Sequence, residues 1–167
     1  MTGKSSSSVA SQPAAQPVTP QGSRVVKFQA GFEWRDVVRQ VYKDDGAGWQ
    51  GVSRTPLVCG LANPTEQEHE SRSQPPFHVR YFEVEPSGFT SRERHAHEHV
   101  VVVLRGHGSV ELASETTPLA FGDVVYVAAW EVHRFRADEG TEPFGFLCIV
   151  PADRDRPQTI DAPASDR

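Results

Sequence analysis

The sequence predicts an all-β sandwich or barrel, on three observations. From Phe77 onward short apolar stretches recur at roughly ten-residue intervals with turn-forming residues between them, the spacing of an antiparallel all-β domain. No helix of length is indicated in that half of the chain. Three histidines at alternate positions, His95, His97 and His99, run directly into the apolar stretch Val100, Val101, Val102, Val103 and Leu104, which is how a rigid half-buried strand begins.

The elements follow in order. Residues 1–23 carry Ser5, Ser6, Ser7, Ser8, Pro13, Pro17, Pro20 and Gly22 but almost no large apolar side chain, so burial cannot offset the entropy of ordering them. A disordered tail is expected there. Residues 24–76 read as an arm packed on the barrel or on a partner subunit. Within it, residues 25–43 hold Val25, Val26, Phe28, Phe32, Trp34, Val37, Val38, Val41 and Tyr42, compatible with strand or short helix. Asp44, Asp45, Gly46, Gly48 and Gly51 require a loop, residues 52–61 read as a strand, and residues 62–76 as a polar surface excursion. The barrel core spans residues 77–151. Strands are predicted at 77–85, 90–95, 99–105, 108–113, 124–129, 132–137 and 144–150. Turns fall at residues 86–88 (Pro86, Ser87, Gly88), 105–106, 114–118, 121–123 and 138–140. Residues 152–167, charged and proline-bearing, read as a loose tail in which Asp153, Arg154, Asp155 and Arg156 form a solvated surface.

Composition narrows the function. At 167 residues the chain makes one domain plus tails, with enough length to bury a core. A formal charge of -5 offers no basic stripe for phosphate backbones, so neither nucleic acid nor an anionic membrane is an expected partner. Cys59 and Cys148 are too few for a disulfide framework, and Cys148 in an apolar strand behaves as a small hydrophobe. A reducing, cytoplasmic setting is expected, because the chain also lacks a run of 18 apolar residues and an apolar block in its first 22.

The chemistry concentrates in the histidines. His133 lies 34 residues beyond His99, at the end of a second apolar strand led by Gly122. Four neutral nitrogen donors suit a first-row metal. Side chains at i, i+2 and i+4 of one straight strand spread over roughly 13 Å, too far to share one ion at bond lengths of about 2 Å. A bend near Ala96 is therefore required. His69, His78 and His107 stand alone and read as surface or hydrogen-bonded residues, and Glu98 as a solvated turn residue.

Over roughly residues 78–151 this pattern resembles the cupin superfamily, in particular its small single-domain bacterial members. The family's first motif runs glycine, histidine-x-histidine, three or four residues, an acid, six residues, glycine. Counting back from Gly106, His99 stands at the third-ligand position, usually glutamate, His95 at the second, and Glu93 where the first histidine would be. In the second motif Gly122 and His133 keep their spacing, whereas the family's proline, inner glycine and trailing asparagine are replaced by Ala128, Trp130 and Ala137. The resemblance implies a double-sheet jelly-roll barrel with an N-terminal extension and one divalent transition metal ion (Fe, Mn, Ni, Cu or Zn) in its mouth. Two ligand sets stay open: Glu93, His95, His99 and His133, or His95, His97, His99 and His133.

Val101, Val103 and Phe135 share the ligand-bearing parity, so strand alternation turns them toward the interior, where they fill the core and line a small apolar pocket. Arg80 is either a surface residue or the anchor of a substrate carboxylate. The implied activity is a metal-dependent oxidoreductase of dioxygenase type acting on a small, largely apolar organic molecule. The alternatives are a metal-dependent isomerase or lyase in which Glu93 moves a proton, and a non-catalytic small-molecule-binding module. A homodimer is expected through exchange of the arm that carries Phe28, Phe32, Trp34, Val37 and Val38.

Overall fold

The computed structural model describes residues 19–20, 23–42, 48–59, 72–73 and 75–160. These residues form strands and no helix. β1 (Thr19–Pro20) falls in the stretch expected to be a disordered tail and pairs in parallel with β6 (Arg72–Ser73), while the arm contributes that β6 together with β2 (Phe28–Gln29), β3 (Glu33–Trp34), β4 (Gln40–Val41) and β5 (Gln50–Val58). The barrel follows with β7 (Phe77–Phe89), β8 (Glu93–Arg94), β9 (His99–Arg105), β10 (Gly108–Leu112), β11 (Glu115–Leu119), β12 (Val124–Val127), β13 (His133–Ala137) and β14 (Phe144–Pro151). A short β15 (Gln158–Thr159) comes last. The sequence of 1–18 and most of 60–74, including His69, lies outside the described residues.

Alternation builds the barrel. In β9, His99, Val101 and Val103 are buried while Val100, Val102 and Leu104 are half-buried, so one face enters the core and the other meets a second apolar layer. One curled antiparallel sheet runs in the order β11-β10-β13-β7-β14-β9-β12, giving the expected all-β jelly-roll barrel. β7 is its hinge. Residues 77–84 pair with β14 on one side while β5 lies on the other, and Phe89 at its far end pairs Arg136 of β13.

That continuity corrects the expected turn at residues 86–88. Ser87 does take the left-handed region (φ 63°), but its N–H donates to the Asp138 carbonyl at 3.2 Å, so the strand bends without reversing. Gly88 is needed there, because a Cβ would stand 2.5 Å from the Gln50 carbonyl oxygen. The expected turn at 114–118 is instead the edge strand β11, reached through a tight turn with Ala113 at φ 51°. Pro118 is tolerated because an edge strand can spare one donor. The strand expected at 90–95 shrinks to Glu93 and Arg94, and that expected at 124–129 ends at Val127. Beyond it Trp130 turns left-handed (φ 65°) and donates to the His95 carbonyl at 2.7 Å.

The arm has a place of its own on the barrel. Trp34 and Phe32 meet Tyr81 at ring-centroid distances of 4.9 and 5.8 Å, over a cluster that takes in Leu57, Val37, Leu104 and Leu147. Burying Trp34 and Tyr81 there contributes about 2 kcal/mol each. Of the two seats expected for the arm, the barrel or a partner subunit, Phe32, Trp34 and Val37 take the first, on residues of β7, β9 and β14. Underneath, the buried Glu83 carboxylate accepts from Arg39 at 2.7 Å, Arg105 at 2.9 Å and the Tyr81 hydroxyl at 2.9 Å, tying arm to barrel. No helix among the described residues is long and apolar enough to cross a membrane.

Residues 152–160 depart from the loose tail expected of them. The Ala152 N–H donates to the Pro76 carbonyl, β15 pairs with β8, and the Asp155 carboxylate accepts from the N–H groups of Ala96 and His97 at 2.9 and 3.2 Å. Asp155 is thus a clasp for the turn at 95–98.

Candidate metal centre

The required bend falls at Ala96 and His97, between β8 and β9, and it brings three imidazoles to one point. His95 precedes the bend, His99 opens β9, and His133 opens β13 opposite Glu93 in register. The ring centroids of His95, His99 and His133 lie 4.8 to 5.1 Å apart, and one nitrogen from each lies within 4.8 Å of the others. All three are buried.

The far nitrogen of each ring is already engaged. His95 Nδ1 donates to the His97 carbonyl at 2.7 Å and His133 Nδ1 to the Glu131 carbonyl at 2.9 Å, which leaves Nε2 with a bare lone pair. His99 Nδ1 contacts Cys148 Sγ at 3.4 Å, and His99 Nε2 is buried without any partner. An orphaned buried nitrogen is costly unless something electrophilic meets it. The donor set therefore fits a transition metal ion.

Electrostatics keeps these rings in the ligating form. Burial, followed by the neighbouring His97 and His133, lowers the His95 pKa to about 4. Burial, with His133 and His95 close by, lowers His99 to about 2, and burial also lowers His133. An unfolded histidine titrates near 6.5, so below that pH the unfolded chain binds protons that the folded one refuses. Metal-free protein is accordingly expected to lose stability as the pH falls from about 6.5 toward about 4. Urea unfolding at several pH values in that window checks it; a flat profile would contradict the burial of these rings.

The two residues competing for a fourth position adjoin the trio without joining its converging ligand atoms. His97 stacks on His95 at 3.7 Å with its rings nearly parallel, and its Nδ1 meets Asp155 Oδ1 at 2.7 Å. The hydrogen bonds from Ala96 and His97 hold the Asp155 carboxyl down at about 2. Glu93 accepts a hydrogen bond from Ser91 Oγ and faces the same cavity. Neither belongs to the group of converging ligand atoms.

The trio opens on a cavity of about 670 Å³ with aromatic walls from Tyr42, Trp49, Phe82, Phe135 and Phe146. Phe135 lines it as expected. Val101 and Val103 do not: both are wholly buried in the core with Val84 and Phe144. Parity gives the face of a strand but not the depth along it. Arg80 also lines the cavity, only 7% exposed, with Nη2 on Cys148 Sγ at 3.3 Å. Cys148, read from sequence as core filling, thus stands between a histidine of the centre and a guanidinium. Its two-residue spacing from Phe146 and Val150 was the available signal. His78, read as a surface or hydrogen-bonded residue, and Arg154, read as solvated surface, line the cavity too and are bonded to each other at 3.0 Å.

Fold and site together define a small β-barrel protein whose mouth presents three histidines able to hold a metal ion. The chain belongs to the cupin family. The cupin-domain family model matches residues 80–150. A 1-methylthio-D-xylulose 5-phosphate methylsulfurylase of Rhodospirillum rubrum is 36% identical over 132 residues, covering 78% of this chain and 76% of that protein. Among solved structures, a cupin 2 conserved barrel domain protein from Rhodopseudomonas palustris is 36% identical with a TM-score of 0.68, covering 83% of this chain and 88% of that one. A cupin 2 domain-containing protein from Halorhodospira halophila is 42% identical with a TM-score of 0.56, covering 85% and 86%.

Proposed function

We propose that the protein is a metal-dependent enzyme that removes the methylthio group from a small 1-methylthio-ketose phosphate, the substrate class in the name of its Rhodospirillum relative. The observation that carries this reading is the convergence of three neutral imidazoles at the wall of a cavity of about 670 Å³, roomy enough for a five-carbon sugar derivative. Iron, manganese, nickel, copper and zinc all suit such nitrogens. When bound, the ion supplies Lewis acidity toward a ketone and a neighbouring hydroxyl.

The chain's own residues supply the rest. The carbonyls of His97 and Glu131 hold two imidazoles in the aimed tautomer. Phe82, Phe135 and Phe146 exclude water from the reacting carbon. Transfer balances with a small-molecule thiol as acceptor: its sulfur bonds to the methylthio sulfur, and the carbon–sulfur electron pair passes to the carbon beside the ketone. That carbon gains a proton from Glu93, which the acceptor thiol's proton restores. Carbon is reduced by two electrons as the two sulfurs become a disulfide.

The aromatic walls favour a second reading, oxygen-dependent oxidation of a small apolar molecule, which is the oxidoreductase expected from the sequence. One experiment separates them. Protein purified without chelator is given 1-methylthio-D-xylulose 5-phosphate and a small thiol under nitrogen, and the S-methyl signal is followed by nuclear magnetic resonance. Loss of that signal, abolished by chelation and restored by one of the five ions, is the expected result. Binding without turnover in the metal-replete protein would leave a binding module, and turnover only of other substrates with dioxygen would leave the oxidoreductase.

A further inference from the structure

We propose that Arg80 and Arg154 form the seat of a phosphate monoester, so that the cavity takes an elongated molecule with its anionic end on the arginines and its other end at the histidines. This rests on the reading of the cavity as an enzyme site. Arg39, Arg92 and Arg105 each have a carboxylate within 3.5 Å, whereas neither Arg80 nor Arg154 has one among the described residues. Arg80 is the more telling. It is 93% buried, Nε has no partner, Nη2 reaches only the Cys148 sulfur, and the guanidinium lies 5.1 Å over the Phe82 ring. A buried cation left without a counter-ion is destabilising by several kcal/mol in general, which an incoming anion would reverse.

Arg154 adds a second charge to the same cavity. Its Nη1 donates to His78 Nδ1 at 3.0 Å and to the Pro151 carbonyl at 3.3 Å, which aims the guanidinium and leaves its other nitrogens available. Burial and the proximity of Arg80 lower its pKa, as expected of two like charges facing one volume. The nearby acids are occupied elsewhere: Asp155 on Ala96 and His97, Glu93 on Ser91. Two guanidinium forks match the charge and the oxygen geometry of a phosphate dianion better than a single carboxylate. The span is short, because Cys148 Sγ alone separates Arg80 Nη2 (3.3 Å) from His99 Nδ1 (3.4 Å).

The test uses metal-loaded protein and the variants Arg80→Gln and Arg154→Gln. Calorimetry with inorganic phosphate and with acetate reads the seat directly, without turnover. Phosphate is expected to bind the parent, and each variant to weaken it by about tenfold or more, the cost of one charge-assisted contact, with metal content unchanged. In turnover, KM for the phosphorylated ketose is expected to rise similarly in Arg154→Gln, and by more than KM for the unphosphorylated ketose. Phosphate binding that neither variant weakens overturns the proposal, as does acetate binding equally well. Should Arg80→Gln misfold, half-buried Arg154 carries the test alone. Arginine-dependent phosphate binding with no turnover of the methylthio substrate would sink the enzyme reading and leave the seat standing.

Discussion

Replacing His99 with alanine is expected to strip the protein of its metal and of turnover together. His99 Nε2 is buried without a partner, and only two nitrogens of the converging group survive its removal. Losing the outer hydrogen-bond partner of a ligand already costs about 10–100-fold in affinity, so losing the ligand itself costs more. Mass spectrometry of protein purified without chelator is expected to find near-stoichiometric metal in the parent and less than about a tenth of it in the variant. His97→Ala and Glu93→Gln are expected to keep their metal, since neither side chain belongs to the converging group. Metal lost equally from His97→Ala or Glu93→Gln would show a fourth ligand and restore one of the four-ligand sets suggested by the sequence.

The largest effect on stability is expected at Glu83, remote from the centre. Its carboxylate is 3% exposed and accepts from Arg39, Arg105 and Tyr81, so Glu83→Ala leaves two guanidinium groups and a buried hydroxyl facing an empty space. Removing one partner of a buried ion pair costs about 3–5 kcal/mol. Arg39 and Arg105 are 33% and 23% exposed, so water screens part of the loss and the lower end of that range is expected, about 3 kcal/mol. That corresponds to a melting temperature lowered by roughly 10 °C. The arm should also become more sensitive to protease, because Arg39 is its charged tether to β7. A loss below about 1 kcal/mol in urea unfolding at neutral pH would show the network to be a screened surface feature. Tyr81→Phe, which removes one donor, is expected to cost about 1 kcal/mol.

Much of the barrel was legible because its residues obey short-range rules. The valines of β9 alternate, Gly106 takes φ 62° at the turn foreseen after Arg105, and Gly122 takes φ 91° before β12. His95, His99 and His133 were legible for the same reason, their spacing being a property of strands and turns. The role of Glu93 and His97 was not. It depends on how the turn at 95–98 points, and that is fixed by Asp155, 59 residues beyond Ala96, and by the Trp130 N–H on the His95 carbonyl. Arg154 and Asp155 sat in a charged run indistinguishable from a solvated tail, since nothing local marks a carboxylate that has found two N–H groups across the fold. Arg80 could be read as surface or anchor, and only its burial beside Cys148 separates the two.

The clasp at Asp155 also bears on the order in which a growing polypeptide acquires its chemistry. Residues 95 to 133 leave the ribosome before Asp155 and β15 do, so a nascent chain displays its imidazoles while the turn at 95–98 still lacks its hold and β8 its neighbour. The geometry that gathers His95, His99 and His133 is therefore completed only once Asp155 and β15 have been added behind them.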